Sequence, residues 1–578
     1  MKRTGANRVM QRKFIQFLLP TLAIMAMNPI AQIVESVILA RFVSTWAMAS
    51  ASLASPFLLL ATAIYYYIGS GGATEYTLAL NEGDEDMAGR TFRLTLLLAA
   101  FCGILLTGIV LIFFDPLCGL LCRTEELDDL FRSYLQIVIF AVPPLILFLT
   151  LTEMLIPMGK PGLALMSVVL VGISHAIMTY VYVVVFHLGL EGAAAARLGS
   201  CLAGLLVTAA GVFIYAPQNR PARDPHFLRD LPARIAGIIR KGNSEGLSVG
   251  AMAFRFIWTF CLSAATQGID AVVAFSVCIQ MASVDSIIQG TLIGTAMPLI
   301  SLLMEQADYR SAGKLLRSSM IYQFLLAALW FIVSNIIAEP VTQFFGIQDE
   351  EEIRTAVYVI RIYSLTYLFK GSYSLFRSYL KILDLKTHRW VLTAGSLILN
   401  LIYMACSALG GNALWWAHPA LSLALLIFTV AVNRVVLRRS EGKWHGILLI
   451  PQEQEAIRTL NASIDLSREE IARFGQELQA LCEENGMAAR RATLCAVAVE
   501  ELLQNVMENK KGKDYADIFV RIYKDRTEID FRTLGDAFQQ DEMELLRKIS
   551  PEISHRNIGG MNCTRLILTT SSDPGPGA

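Results

Sequence analysis

The sequence predicts an all-α membrane protein of about twelve transmembrane helices in two six-helix lobes, followed by a soluble α+β domain. Three observations lead to this fold class. The 578 residues are 54% hydrophobic and only 17% charged, whereas soluble domains are about 25% charged. Apolar stretches long enough to cross a bilayer recur as far as residue 436. An offset of 224 residues relates the first half of these stretches to the second.

Twelve stretches come close to or exceed the roughly 20 apolar residues that a membrane helix needs. They lie at 14–40, 50–78, 91–114, 132–157, 163–187, 192–216, 246–267, 271–303, 315–338, 355–380, 390–409 and 413–436. Basic residues gather in alternate loops, among them Arg90, Lys160, Arg310 and Lys314. Because such loops stay in the cytoplasm, we expect a multi-pass protein of the plasma membrane with both termini cytoplasmic.

Short motifs of the first half return in the second half. Phe114-Asp115-Pro116-Leu117 returns as Ala338-Glu339-Pro340-Val341, and Ala88-Gly89-Arg90 returns as Ala312-Gly313-Lys314. With six helices in each half, both halves insert in the same orientation and are related by a pseudo-twofold axis along the membrane normal. We therefore divide the membrane part into an N-lobe, residues 1–217, and a C-lobe, residues 218–445. This architecture is typical of transporters.

The composition changes after Lys443, where charged residues become frequent. Residues 466–485 and 488–509 have the periodicity of amphipathic helices. Residues 518–523 and 527–531 alternate like paired strands. We predict an α+β domain at 446–571, large enough to fold alone, and a disordered tail at 572–578.

Ionisable side chains within the apolar stretches are candidates for function, because a charge near the bilayer centre costs about 2.5–3.5 kcal/mol. Glu35 is such a residue in the N-lobe. The C-lobe candidates are Arg255, Asp285 and Arg361, for which internal ion pairs and substrate contacts are equally compatible with the sequence. Glu153 and Lys370 lie near helix ends, where a long side chain reaches the interface.

Several motifs in the membrane part resemble those of one transporter family. They are Phe17-Leu18-Leu19-Pro20, Ile33-Val34-Glu35-Ser36-Val37, Ala51-Ser52-Leu53-Ala54-Ser55-Pro56, Met158-Gly159-Lys160-Pro161 and Leu188-Gly189-Leu190-Glu191-Gly192-Ala193-Ala194. In their order and spacing, residues 12–440 resemble the multidrug and toxic compound extrusion (MATE) family. The resemblance implies the MATE fold and an antiporter that exports organic compounds or drugs against a proton or sodium gradient by alternating access.

The resemblance also implies a cation site in the N-lobe. Glu35 falls at the family's carboxylate position, and Asn28 lies two turns earlier on the same face. The fifth helix of the family commonly has Asn and, four residues later, Asp, where this sequence has His175 and Thr179. Histidine is a poor ligand for sodium and titrates near neutrality. Coupling to protons through Glu35 and His175 is the sharper hypothesis, and coupling to sodium stays open.

The soluble domain resembles the ATP-binding fold of anti-sigma-factor kinases and histidine kinases over residues 460–570. The resemblance implies a nucleotide site at Glu501, Asn505, Thr533, Gly535, Gly559 and Gly560. Thr533 replaces the aspartate that accepts from the adenine amine. We therefore expect a degenerate relative with weak or absent binding of Mg-ATP and without kinase activity.

These observations predict a secondary transporter for a small organic substrate, embedded in a lipid bilayer, and not an enzyme. The soluble domain would regulate transport or bind a protein partner. The net charge of zero argues against nucleic acid as a partner, and neither a P-loop string nor a metal-binding motif is present. Two alternatives stay open: a membrane sensor whose kinase-like domain signals, and a flippase for lipid-linked sugars with the same architecture.

Overall fold

The structure, a computed structural model, describes residues 8–81, 84–122, 125–215, 231–305, 308–383, 385–440, 442–452, 458–508, 515–523, 526–535, 552–557 and 561–569. These residues belong to two compact units. One comprises the chain up to Pro20, Thr295–Arg317 and the chain from Leu437 onward. The other comprises Thr21–Gly294 and Ser318–Val436. The first unit therefore contains both the start of the first helix and the soluble domain.

The helices of the first half follow the apolar stretches of the sequence. They are α1 (Arg8–Phe42), α2 (Thr45–Tyr65), α3 (Gly71–Asn81), α4 (Glu85–Ile112), α5 (Phe114–Leu121), α6 (Glu125–Val138), α7 (Val142–Leu155), α8 (Pro161–Tyr180) and α9 (Gly189–Tyr215). A π-helical turn at Tyr66–Ser70 joins α2 to α3, and a second one at Val181–Val185 extends α8. A 3-10 turn at Ile139–Ala141 joins α6 to α7.

The second half repeats this plan. Its helices are α10 (Leu231–Thr266), α11 (Ile269–Glu305), α12 (Tyr309–Ile336), α13 (Ala338–Phe344), α14 (Glu350–Ile382), α15 (Lys386–Ser407) and α16 (Ala413–Arg439). Eleven segments of the described chain are long and apolar enough to cross a membrane. The remaining predicted stretch corresponds to α14, which is 33 residues long and whose internal Arg361, Lys370 and Arg377 lower its hydropathy.

The helix bounds confirm the internal repeat at an offset of 224 residues. Moved by this offset, α4 coincides with Tyr309–Ile336 and α9 coincides with Ala413–Arg439. The helix caps repeat as well. Asp84 accepts a hydrogen bond from the Met87 N–H at 2.8 Å, and its counterpart Asp308 accepts from the Ser311 N–H at 3.1 Å. Both carboxylates therefore satisfy backbone donors that a helix start leaves free.

The soluble domain contains the predicted two helices and a sheet. A small hairpin of β1 (Trp444–His445) and β2 (Ile450–Pro451) precedes a five-stranded antiparallel sheet in the order β3-β4-β5-β7-β6. The strands are β3 (Arg458–Asp465), β4 (Tyr515–Ile522), β5 (Arg526–Leu534), β6 (Glu552–Asn557) and β7 (Met561–Thr569). The helices are α17 (Arg468–Glu484) and α18 (Ala489–Glu508).

Alternation along the strands decides which side chains meet these helices. Ile518, Val520 and Phe531 pack into one hydrophobic core with Phe474 of α17 and Leu503 of α18. The intervening positions of β4, β5 and β7 face the opposite side of the sheet and include the charged residues Asp517, Arg521, Asp530, Arg532 and Arg565. The prediction of an α+β domain is confirmed, whereas the predicted tail at 572–578 lies outside the described residues.

Candidate functional site

Glu35 is a buried carboxylate of α1 that contacts three other helices. Its side chain is only 4% exposed. Oε1 accepts a hydrogen bond from the hydroxyl of Tyr134 in α6 at 2.8 Å. Oε2 accepts one from Nη2 of Arg197 in α9 at 2.6 Å, and Nε2 of His175 in α8 lies 3.4 Å from the same oxygen. Both carboxylate oxygens are thus engaged, and four helices meet at one charged group.

Arg197 supplies a built-in counter-charge for Glu35. It is 8% exposed, and an isolated ion at this depth would cost several kcal/mol. The pair as a whole is neutral, so it can exist inside the membrane part where either partner alone would be costly. A cation from solution would have to compete with the guanidinium for the same carboxylate oxygen.

The structure brings His175 to this cluster, and Thr179 follows it by one turn on α8. Both are buried, and in the described part of the chain neither ring nitrogen of His175 nor Oγ1 of Thr179 has a hydrogen-bond partner. Asn28, by contrast, is exposed, and no described hydrogen bond joins it to Glu35. The expected position of Asn28 beside the carboxylate is therefore not observed.

Arg197 and Tyr134 are the two cluster members that the sequence analysis missed. A signal for Arg197 was available, because it is a basic residue inside the apolar stretch 192–216. The same insertion cost that selected Glu35 applies to it. Tyr134 had no comparable signal, since its stretch also holds other polar residues and a tyrosine is common near a membrane interface.

The C-lobe holds a second set of ionisable side chains. Asp285 in α11 is fully buried and accepts a hydrogen bond from Gln289 one turn later. Lys370 in α14 is its electrostatic partner and also lies within range of Arg255 in α10. Arg361 is exposed and, unlike the other two C-lobe candidates, does not join this group.

Arg255 has no carboxylate partner among the described residues. Its Nη1 donates to Oδ1 of Asn400 in α15 at 3.3 Å, and its Nε is buried without a hydrogen-bond partner. The Arg255 side chain is half-buried. Together with Lys370 and Asp285 it gives the C-lobe set one positive charge in excess.

A neutral hydrogen-bonded cluster lies next to Arg255. The hydroxyl of Thr259 is 2.8 Å from that of Tyr403, which in turn is 3.0 Å from Nε2 of His418. The ring of Tyr363 lies 5.0 Å from that of His418. Thr259 follows Glu35 by 224 residues and Tyr403 follows Thr179 by the same offset. The C-lobe thus carries uncharged side chains at the positions that match the N-lobe cluster.

The predicted nucleotide site is described only in part. Glu501 is exposed on α18. Thr533, at the end of β5, is 2% exposed, and its Oγ1 has no hydrogen-bond partner among the described residues. Gly535 follows with φ 143°, a conformation that side chains rarely adopt. Gly559, Gly560 and the side chain of Asn505 lie outside the described residues.

In the described part of the domain, the predicted base-binding position is a buried threonine and not an accessible carboxylate. Similarly, no group of three His, Cys, Asp or Glu residues with the geometry of a metal site occurs among the described residues. The soluble domain is an α+β domain, and an ATPase-type identity is not established by its geometry.

Comparison with known proteins bears on the membrane part. The family model MatE matches residues 20–181. A multidrug resistance MATE transporter of the MOP superfamily, solved in an inward-facing conformation, aligns with 73% of this chain and 98% of its own at 14% identity and TM-score 0.62. No curated protein sequence matches the chain.

Two further solved structures agree with this result. A MOP superfamily transporter from Pyrococcus furiosus, described by a reverse polarity of its binding pocket, aligns with 76% of this chain and 100% of its own at 14% identity and TM-score 0.59. A mutant of the Vibrio cholerae MATE transporter VcmN aligns with 77% and 99% at 15% identity and TM-score 0.59. The membrane helices of this chain therefore have the fold of MATE transporters, whose members are transporters and not enzymes.

Proposed function

We propose that this chain is a secondary active transporter of the MATE family, which exports small organic compounds across the plasma membrane in exchange for protons. The observation that carries the proposal is the buried Glu35–Arg197 ion pair, with His175 at 3.4 Å from the shared carboxylate oxygen. The pair links α1 to α9, and its charge state depends on one titratable carboxylate within a transporter fold.

Protonation of Glu35 would remove the charge that neutralises Arg197. The guanidinium would then be an unpaired ion in a dry environment, which is costly, so the arrangement of α1, α6, α8 and α9 would have to change. Nε2 of His175 lies 3.4 Å from the carboxylate, so a proton taken up by the imidazole can move to Glu35 and leave His175 neutral, while the hydroxyl of Tyr134 keeps its proton and donates a hydrogen bond to the other carboxylate oxygen. Proton binding is in this way linked to the packing of four helices.

Sodium coupling at this site has less support. A hard cation prefers several oxygen ligands, and the groups next to Glu35 are a guanidinium and an imidazole. Thr179 and Tyr134 contribute only one hydroxyl each. We therefore favour protons over sodium as the coupling ion.

The C-lobe charges favour a substrate with an acidic group. Among the described residues, Arg255 and Lys370 share one nearby carboxylate, Asp285, and the side-chain hydrogen bond of Arg255 goes to the amide of Asn400 at 3.3 Å. An uncompensated cation within a membrane is expensive, and an anionic substrate would neutralise it. Tyr363, Tyr403 and His418 supply aromatic faces and hydroxyl groups beside it for the rest of the molecule.

We assign the soluble domain a regulatory role on the side that carries both termini, which we take to be the cytoplasm. The basic residues Arg310 and Lys314 follow the α11–α12 connection on this side, as expected of cytoplasmic segments. The closed base position at Thr533 argues against a motor driven by ATP. A protein partner of this domain is compatible with such a role.

Flux in proteoliposomes tests the proposal. Carboxyfluorescein and ethidium serve as anionic and cationic probes, under an imposed proton gradient or an imposed sodium gradient. We expect proton-driven transport of carboxyfluorescein, a loss of at least about tenfold in Glu35→Gln, and a shifted pH profile in His175→Ala.

Full proton-driven flux in Glu35→Gln would disprove coupling through this carboxylate. Transport that follows only the sodium gradient would show that the coupling ion is misassigned. Preference for ethidium over carboxyfluorescein would disprove the acidic substrate class and leave the coupling assignment intact.

A further inference from the structure

The second face of the soluble domain's sheet is charged yet buried. Asp517 and Arg521 of β4, Asp530 and Arg532 of β5 and Arg565 of β7 alternate with the core-facing positions of their strands. Asp517, Asp530 and Arg532 are all fully buried and Arg521 is 6% exposed. A solvated sheet face would leave such side chains exposed, so this face has an occupant within its own unit.

One occupant is the start of α12. Nη2 of Arg532 lies 2.5 Å from Oδ2 of Asp308, and Nη2 of Arg521 lies 3.5 Å from Oδ1. Asp308 is also the cap of α12 through the Ser311 N–H. The β1–β2 hairpin contacts the same turn, because a Cβ on Gly313 would come within 2.5 Å of the Ile450 side chain.

The other occupant is the start of α1. The backbone N–H of Val9 donates to Oδ2 of Asp517 at 3.0 Å, so the sheet supplies an acceptor to a helix end that would otherwise leave donors free. Val9 and Met10 are 1% and 4% exposed. One face of one sheet therefore holds the first turn of α1, in the N-lobe, and the first turn of α12, in the C-lobe.

The arginines on this face are fixed by further contacts. The Arg532 guanidinium lies over the Phe519 ring at 4.3 Å, and Nη1 of Arg521 donates to Oδ2 of Asp530 at 2.8 Å. Burial raises the pKa of Asp308, but the ion pairs with Arg532 and Arg521 outweigh this effect and hold it below its ordinary value. Asp308 is therefore ionised at neutral pH, and the arginines meet it in a preset geometry.

We propose that this sheet face is a clamp that joins the two lobes at the ends of α1 and α12 and keeps the termini side of the transporter closed. The proposal rests on the proposed function, because in alternating access the lobes must separate on one side to admit substrate. While Asp308 and Val9 are both bound to the sheet, that separation requires breaking one of the two attachments: the buried ion pair at Asp308 or the buried hydrogen bond between Val9 and Asp517. Release of the sheet, by a partner or a modification, would then activate transport.

The internal repeat provides a matched control. Asp84 caps α4 as Asp308 caps α12, but Asp84 is exposed and has no arginine partner among the described residues. Asparagine keeps the capping hydrogen bond and removes only the charge. Both variants therefore keep the helix cap, and only Asp308→Asn also removes an ion pair with the sheet.

Distances between spin labels test the clamp in the full-length chain. Labels at Glu85 and Thr387, both exposed at helix starts of the two lobes, can be attached through a ketone amino acid that leaves the ten cysteines in place. We expect Asp308→Asn to raise the fraction of molecules with a long distance between the two labels by about tenfold and to increase the rate of flux. Arg532→Gln should have the same two effects. Asp84→Asn should leave both unchanged.

Unchanged distances in both Asp308→Asn and Arg532→Gln would overturn the clamp, and so would an equal change in Asp84→Asn. If Asp308→Asn does not fold, Arg532→Gln together with Arg521→Gln gives the same test from the sheet side. Absence of flux in every variant, the wild type included, would count against the proposed function. The distance distributions would still decide the clamp in that case.

Discussion

The two lobes share one plan of helices but use different chemistry at matching positions. Glu35 in the N-lobe is paired with Arg197, while the same positions in the C-lobe are Thr259 and Leu421. Conversely, Arg255 and Asp285 in the C-lobe match two alanines of the N-lobe, Ala31 and Ala61, and Lys370 matches Ile146. At these five positions, therefore, a charge in one lobe matches an uncharged residue in the other.

The different charges of the two lobes suit two different tasks, the response to a proton and the binding of a ligand. A neutral, closed ion pair such as Glu35–Arg197 responds to a proton and offers little to a bulky ligand. The C-lobe side chains, with one excess cation and a half-buried arginine, offer a positive charge that can bind a ligand. They include no single carboxylate whose charge holds several helices together. Under the proposed function, the N-lobe is the coupling half of the duplicated fold and the C-lobe is the binding half, a division that substitutions can test.

Removing Arg197 should have the largest effect on thermal stability. Arg197→Leu leaves Glu35 buried without a counter-charge, and breaking a buried pair in this way costs about 3–5 kcal/mol. We expect a strongly lowered melting temperature in detergent, measured by intrinsic fluorescence. Adding Glu35→Gln in the same chain should recover most of the loss, because no unpaired charge is then left. A single variant as stable as the wild type would contradict the role given to the pair.

Introducing a glutamate and an arginine at the matching positions of the C-lobe should have a somewhat smaller effect on thermal stability. Thr259→Glu introduces a carboxylate beside Tyr403, at a cost of about 2.5–3.5 kcal/mol for a charge in the membrane interior. The additional change Leu421→Arg supplies the counter-charge at the position that matches Arg197, and we expect it to restore part of the melting temperature. No recovery in the double variant would show that the repeat does not extend to side-chain geometry at this site.

Two buried tyrosines, one from the hydrogen-bonded cluster of each lobe, should give the smallest effects on thermal stability. Tyr134→Phe removes a hydrogen bond to a carboxylate, worth about 1.5–3 kcal/mol, whereas Tyr403→Phe removes one between neutral groups, worth about 1 kcal/mol. The N-lobe variant should therefore lose more thermal stability and alter the pH profile of flux. Equal losses in the two variants would argue against a charged N-lobe cluster.

The sequence predicted the repeat and part of the cluster because both leave local signals. Helix lengths and the 224-residue offset follow from apolar runs, and Glu35 is conspicuous as an acid in such a run. Asn28 and Arg361 are exposed in the structure, which the sequence could not predict because position within a run does not tell which face of a helix turns outward. That distinction depends on packing between helices distant in sequence.

The charged sheet face was beyond sequence analysis for a different reason. Alternation of apolar and charged residues in β4 and β5 is the ordinary pattern of a half-solvated strand. Nothing in 515–534 signals that the charged side would be buried by residues near positions 9 and 308. The partners are about 500 and 220 positions away, and only the folded arrangement brings them together.

The two π-helical turns give the lobes unequal mechanical properties. Tyr66–Ser70 and Val181–Val185 are π-helical in the N-lobe, whereas the counterpart of the first, 290–294, lies within the α-helix α11 and the counterpart of the second, 405–409, spans the end of α15. A π turn is a common place for a helix to bend. Among the described residues, the N-lobe thus has two places suited to bending that the C-lobe lacks at the matching positions. When a proton reaches Glu35, the response is expected as a bend within one half of the molecule, with the other half acting as its rigid support.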